Sequence, residues 1–82
     1  MNRLKYALYT YGPVVVSVDA ENPIFKNYRG GIIKDQLCTK QIGHAVLAVG
    51  YGFDETVGDF IIIKNSWGER WGEMGFVRIS LS

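Results

Sequence analysis

"QIGHAVLAVGYG", residues Gln41–Gly52, holds the one histidine of this chain, and its reading decides the fold. Ala45–Gly50 is small and apolar, which predicts a buried strand with His44 at its mouth. Phe60–Lys64 is a second apolar run of strand length. Tyr51–Asp59 between them reads as a loop or hairpin connection, with Gly52 and Gly58 at turn positions. Working outward, Val14–Asp19 is rich in β-branched residues and predicts another strand. Phe76–Ile79 predicts the last one, and Ile32-Ile33 begins a further extended piece after the break at Arg29-Gly30-Gly31. Upstream, Leu4, Leu8 and Tyr11 recur at helical spacing, with Ala7 on the same side. The expected helix, Asn2–Thr10, is stopped by Gly12-Pro13, because proline disfavours helix in the residue before it. Ile24, Phe25 and Tyr28 fit one helical turn. Lys34–Gln41 reads as a polar loop, and Asn65–Gly72 is irregular and rich in glycine and tryptophan. One short N-terminal helix followed by several short strands predicts an α+β domain with an antiparallel β-sheet or partial barrel.

The 82 residues suffice for one small domain. A chain this short buries only about 60% of its unfolded surface, so it is expected to lean on a partner or to be marginal alone. The formal net charge is +1, and the nine basic residues form no block or stripe. That argues against a nucleic acid or an anionic membrane as partner. The longest apolar runs, Val14-Val15-Val16 and Phe60-Ile61-Ile62-Ile63, are far too short to span a bilayer. One histidine and one cysteine give neither the number nor the spacing of ligands that zinc needs, so no metal or other cofactor is expected. The single cysteine, Cys38, cannot close a disulfide within these residues.

Three features bear on chemistry. His44 is the one side chain whose ordinary pKa lies near neutrality, and Gly43 and Ala45 leave room around its ring. It reads either as a proton-transfer group or as a structural histidine at a strand end. Asn65 stands at the end of the Phe60–Lys64 run, on a strand able to pair with Ala45–Gly50. Its carboxamide oxygen is placed to accept a proton from one imidazole nitrogen, fixing the ring while the other nitrogen works; the plain alternative is a turn asparagine. Trp67 and Trp71 fall within one stretch of five residues in a single loop. One of them can cover a histidine–asparagine bond and exclude water, or both can cap the core with their N–H groups at the surface.

Taken together, "GHAVLAVGYG", then "IIIKNSWGERWGEMGFVRI", with "YGPVVVSVDA" and "YRGGI" upstream, closely resembles the C-terminal half of papain-like cysteine proteases, the cathepsin-like peptidase family C1. The likeness runs from Tyr11 to Ile79. It implies the right-hand, barrel-bearing domain of that fold. His44 matches the general base, and Asn65 the residue that orients its imidazole. Trp67 matches the indole that shields the His–Asn bond, and with Trp71 it would border the leaving-group side of the cleft. Ser17, Ile42 and Ala45 match positions lining the pocket for the substrate side chain one residue upstream of the scissile residue. Gly43 matches a position whose backbone carbonyl binds the substrate main chain.

The resemblance also implies what these 82 residues do not hold. In the family the nucleophile is a cysteine at the start of a long helix in the other half, where the helix N-terminus and an imidazolium favour the thiolate. Cys38 lies in "KDQLCTKQ", a loop-like context, and matches instead a family cysteine that pairs with one nearer the C-terminus. It is expected to be an orphaned structural cysteine. The expected partners are a peptide or protein substrate and a companion cysteine-bearing half, from the same precursor or a separate chain. The expected activity is proteolysis, with the lone chain inactive; the alternative is a truncated, non-catalytic module acting in binding or structure. Lysosomal, vacuolar or extracellular settings are implied by the family resemblance only.

Overall fold

The computed structural model describes residues 3–35 and 43–81. Cys38 and Ile42 lie outside the described residues. The chain order is α1 (Arg3–Tyr11), β1 (Val14–Val18), α2 (Pro23–Lys26), β2 (Ile32–Ile33), β3 (His44–Asp54), β4 (Gly58–Lys64) and β5 (Phe76–Ser80). The five strands form one sheet in the order β1-β3-β4-β5-β2. Every pairing is antiparallel except β2 with β5, where Ile32 and Ile33 run parallel to Arg78 and Ile79. The architecture is α+β, with a mixed rather than wholly antiparallel sheet.

Alternation decides which side of the sheet is core. Successive strand residues face opposite sides, so Val46 and Ala48 of β3, Ile61 and Ile63 of β4, and Val77 and Ile79 of β5 share one buried face. Leu8 of α1 packs onto that face. Phe25 and Tyr28 close it from the α2 side. Tyr11, expected to share the buried side of α1 with Leu4 and Leu8, is instead 78% exposed, because it is the last residue of the helix and the chain turns away at Gly12. Pro23 begins α2, where its missing N–H costs nothing, and the Asn22 side chain accepts from the Ile24 N–H at 2.9 Å.

The β3–β4 hairpin is longer than the sequence reading expects. Tyr51–Asp54, read as connection, continues the strand, and Asp54 pairs with Gly58. The turn is closed by the Asp54 carboxylate, which accepts the Thr56 and Val57 N–H groups at 2.8 and 2.9 Å. Those two bonds hold its carboxyl below the ordinary value. Gly52 is therefore not a turn residue. It lies opposite Phe60, and a Cβ there would come within 2.6 Å of the Phe60 ring. Between Ala48 and Gly50 the register shifts by one residue on β3, a bulge that bends the strand beyond the His44 end.

The loop after β4 is tied down at its far end by an ionic fork. Arg78 donates from Nε and Nη2 to the two carboxylate oxygens of Glu73 at 2.8 and 2.9 Å. The Gly31 N–H adds a third bond to Glu73 at 3.2 Å. The Arg78 guanidinium holds the Glu73 carboxyl below its usual value. A depressed carboxyl stabilises the fold above the unfolded-state value and loses that contribution as pH falls through the folded value. Glu73→Gln is thus expected to lower the thermal midpoint at neutral pH and to flatten the loss of stability below about pH 4.5, the ordinary carboxyl value. Thermal melts from pH 7 to pH 3 check this, and an unchanged acid limb would contradict it. The pair is about one-third exposed, so salt screens the effect.

Candidate active site

β3 and β4 bring the two polar residues of interest together. His44 opens β3 and Asn65 follows Lys64, the last residue of β4. Leu47 is paired with Lys64 in the register, so the start of one strand lies beside the end of the other. Across this corner His44 Nε2 lies 3.0 Å from Asn65 Oδ1. The Ser66 N–H donates to the same oxygen at 2.8 Å, which fixes the oxygen on the His44 side of the amide. A carbonyl oxygen only accepts, so Nε2 is the protonated nitrogen and Nδ1 carries the lone pair. Nδ1 forms no hydrogen bond among the described residues. The ring is thus oriented by one nitrogen and free to take or give a proton at the other.

Asn65 is 5% exposed, and its Nδ2 is buried without a hydrogen-bond partner among the described residues. An unsatisfied buried amide donor costs about 1–3 kcal/mol. Such exceptions are found where an arrangement serves something other than stability. Here the amide is committed to holding its oxygen toward His44.

The two indoles play different parts. Trp67 stacks on the His44 ring, with centroids 5.6 Å apart and planes 24° apart. One face of the imidazole is therefore covered by hydrocarbon, although Trp67 itself is 42% exposed. Trp71 does not reach His44. It meets Trp67 edge-on at 5.4 Å, packs against Phe25 and Tyr28, and donates its Nε1–H to the Phe25 carbonyl at 3.1 Å. Trp67 thus lies on the imidazole ring. Trp71 packs on the core, and its N–H is held by a backbone carbonyl rather than reaching the surface.

Ser17 and Ala45 are direct partners in the β1–β3 register, next to the Val18–His44 pair. Gly43 is exposed and immediately precedes β3. Ile42, expected beside them, lies outside the described residues. Among the described residues no group of three His, Cys, Asp or Glu is placed to hold a metal ion.

The fold is one that other proteins share. The sequence profile described as papain family cysteine protease matches residues 1–82. This chain belongs to the papain family of cysteine proteases. It is 44% identical over 79 residues to a cathepsin L-like protein of Caenorhabditis elegans, a match covering 95% of this chain and 23% of that protein. It is 50% identical over 78 residues to the viral cathepsin of Heliothis zea nuclear polyhedrosis virus, covering 95% of this chain and 20% of the relative. The fold matches the structure of the bromelain protease from Ananas comosus in complex with the E64 inhibitor, with a TM-score of 0.79 and 42% identity, over 94% of this chain and 34% of that one. The papain-family chain thus spans between a fifth and a quarter of the length of these curated relatives.

Several residues that build this papain-family site were not singled out from the sequence. Phe25 is fully buried and meets Trp67 edge-on at 5.3 Å, with planes 82° apart. It is the floor on which the indole sits. The helical-turn reading of Ile24, Phe25 and Tyr28 marked it as apolar, but its partners lie more than forty residues away in sequence. The Ser66 N–H that pins the amide is a backbone group and carries no sequence signal. Gly72 was read only as part of a glycine-rich loop. It has φ +59°, and a Cβ there would come within 2.6 Å of the Phe76 carbonyl and 2.9 Å of the Tyr28 ring, so only glycine lets the loop return against Tyr28.

Proposed function

We propose that this chain supplies the base and its orienting amide to a cysteine-peptidase centre whose thiol comes from outside these 82 residues. The observation that carries the proposal is the His44 Nε2–Asn65 Oδ1 bond, with the amide held by the Ser66 N–H. It leaves Nδ1 as the proton-accepting atom. The chain acts as the C-terminal, barrel-bearing domain, and the cysteine-bearing helical half completes it. Cys38 serves structure and is not the nucleophile.

In the completed centre the thiol gives its proton to His44 Nδ1, and the thiolate attacks the peptide carbonyl carbon. The C–N bond then breaks, the Nδ1 proton goes to the departing amine, and a thioester remains. Water attacks the thioester with Nδ1 as base, releasing the acid and returning the thiol. Imidazolium formation at Nδ1 strengthens the Nε2–H bond to Asn65, because a charged donor binds more strongly. Trp67 keeps water from one face of that pair. Ser17 and Ala45, partners in the β1–β3 register, face the side chain one residue upstream of the scissile residue, and the family resemblance assigns Ile42 to the same pocket. The Gly43 carbonyl binds the substrate main chain, and Trp67 and Trp71 border the leaving-group side.

Asn65→Ala tests the orienting role. The ring remains but loses one hydrogen bond to a group that becomes charged, worth about 1.5–3 kcal/mol. Turnover of a peptide substrate by the protein carrying both halves is expected to fall on the order of 10- to 100-fold, mostly in kcat. Full activity would remove Asn65 from the mechanism.

A further inference from the structure

A groove of about 210 Å³ opens beside Trp71, lined by Lys26, Asn27, Tyr28, Arg29, Arg70 and Trp71. Three of its six lining side chains are cationic, and no acidic side chain lines it. Lys26 shares its charge with Glu21, an exposed contact of 3.2 Å. Arg29 and Arg70 form no ion pair or hydrogen bond among the described residues, and both are exposed. They contrast with Arg78 and Lys5, which are held by Glu73 and Asp59. Two free guanidinium groups converge here from separate segments, one following α2 and one on the loop after β4. Behind the groove the Tyr28 and Trp71 rings pack against each other, with centroids 5.5 Å apart.

The groove is also close to the proposed centre. Ring steps of 5.6 Å from His44 to Trp67 and 5.4 Å from Trp67 to Trp71 put the Trp71 ring within about 11 Å of the imidazole. An extended peptide advances about 3.3 Å per residue, so it covers that distance in three or four residues. We propose that this groove is a specificity subsite that takes an acidic side chain of the peptide whose scissile bond lies at His44. The inference rests on reading His44 as the base of a peptidase. A guanidinium fork pairs with a planar carboxylate in two parallel hydrogen bonds, and Arg29 and Arg70 each offer one. A short acidic segment fits better than a long polyanion, because the net charge of the chain is only +1 and no basic stripe continues from the groove.

The test reads binding rather than turnover. The protein carrying both halves is titrated at low ionic strength with acetyl-Ala-Glu-Glu-Ala-amide and with its Gln-Gln counterpart, following the Trp71 indole N–H by NMR. Two exposed charge pairs are expected to make the acidic peptide bind about ten-fold tighter. Arg29→Gln combined with Arg70→Gln should erase that preference. Arg3→Gln combined with Lys34→Gln, the same change of charge at exposed sites elsewhere, should leave most of it. Equal binding of the two peptides, or an unchanged preference in the Arg29/Arg70 variant, overturns the subsite. So does binding of a heparin octasaccharide through these arginines without binding of the acidic peptide, which would make the groove a polyanion surface. His44→Ala should bind the acidic peptide normally. Unchanged turnover by His44→Ala in the protein carrying both halves therefore sinks the peptidase reading, while loss of selective binding sinks the groove alone.

Discussion

His44→Ala is expected to abolish measurable peptidase turnover in the protein that carries both halves, with a loss of roughly 10²- to 10⁴-fold from proton transfer alone. The fold should survive. His44 begins β3 rather than sitting at the centre of the sheet, and the buried strand residues Val46, Ala48, Ile61 and Ile63 do not depend on it. Its removal costs the stack on Trp67 and leaves Asn65 Oδ1 with the Ser66 N–H still bound. Circular dichroism and a thermal melt separate the two outcomes: a folded, inactive variant supports the base role, and an unfolded one makes His44 a structural residue. The loss should exceed that of Asn65→Ala, since one change deletes the proton acceptor and the other only its orientation.

Phe25→Ala carries the largest expected cost in stability. Phe25 is 0% exposed and holds both indoles, at 5.3 Å from Trp67 and 4.9 Å from Trp71. Deleting a buried phenyl ring typically costs about 3–5 kcal/mol, from lost burial and from the cavity left behind. That is a large share of the roughly 5–15 kcal/mol that holds a small domain together. The backbone carbonyl of Phe25 remains, so the Trp71 Nε1–H keeps its acceptor only if α2 keeps its place. A denaturant titration should show the midpoint falling sharply, and indole fluorescence should report the aromatic frame loosening in the same transition. A midpoint shifted by less than about 1 kcal/mol would mean that Phe25 is not what seats the tryptophans.

The strands were legible because their signals are local. Val14–Asp19, Phe60–Lys64 and Phe76–Ile79 are β-branched or aromatic runs that begin directly after Pro13, Asp59 and Gly75, and the structure places strands there within one or two residues. What alternation could not give was where β3 ends. Tyr51, Gly52 and Phe53 look like connection because glycine interrupts the run, yet the Phe60 ring covers Gly52 and the turn waits for the Asp54 carboxylate. Nor did it give the parallel joining of β2 to β5, which is a fact of topology rather than of pattern. The His44–Asn65 pairing was legible from the strand spacing and sharpened by the family resemblance. The Phe25 floor, the Ser66 N–H and the Glu73–Arg78 fork were not. Each depends on segments that meet only in the folded chain, or on a backbone group that every residue possesses.

The central proposal is that the thiol served by His44 lies outside these 82 residues. Its most direct test is the turnover of the active, completed protein after Cys38→Ser. The expected result is peptide cleavage within about two-fold of the unsubstituted protein, since a cysteine outside the reaction leaves the barrier unchanged to within about 0.4 kcal/mol. Loss of turnover to the level of His44→Ala, with the fold intact, would make Cys38 the nucleophile and contradict the proposal.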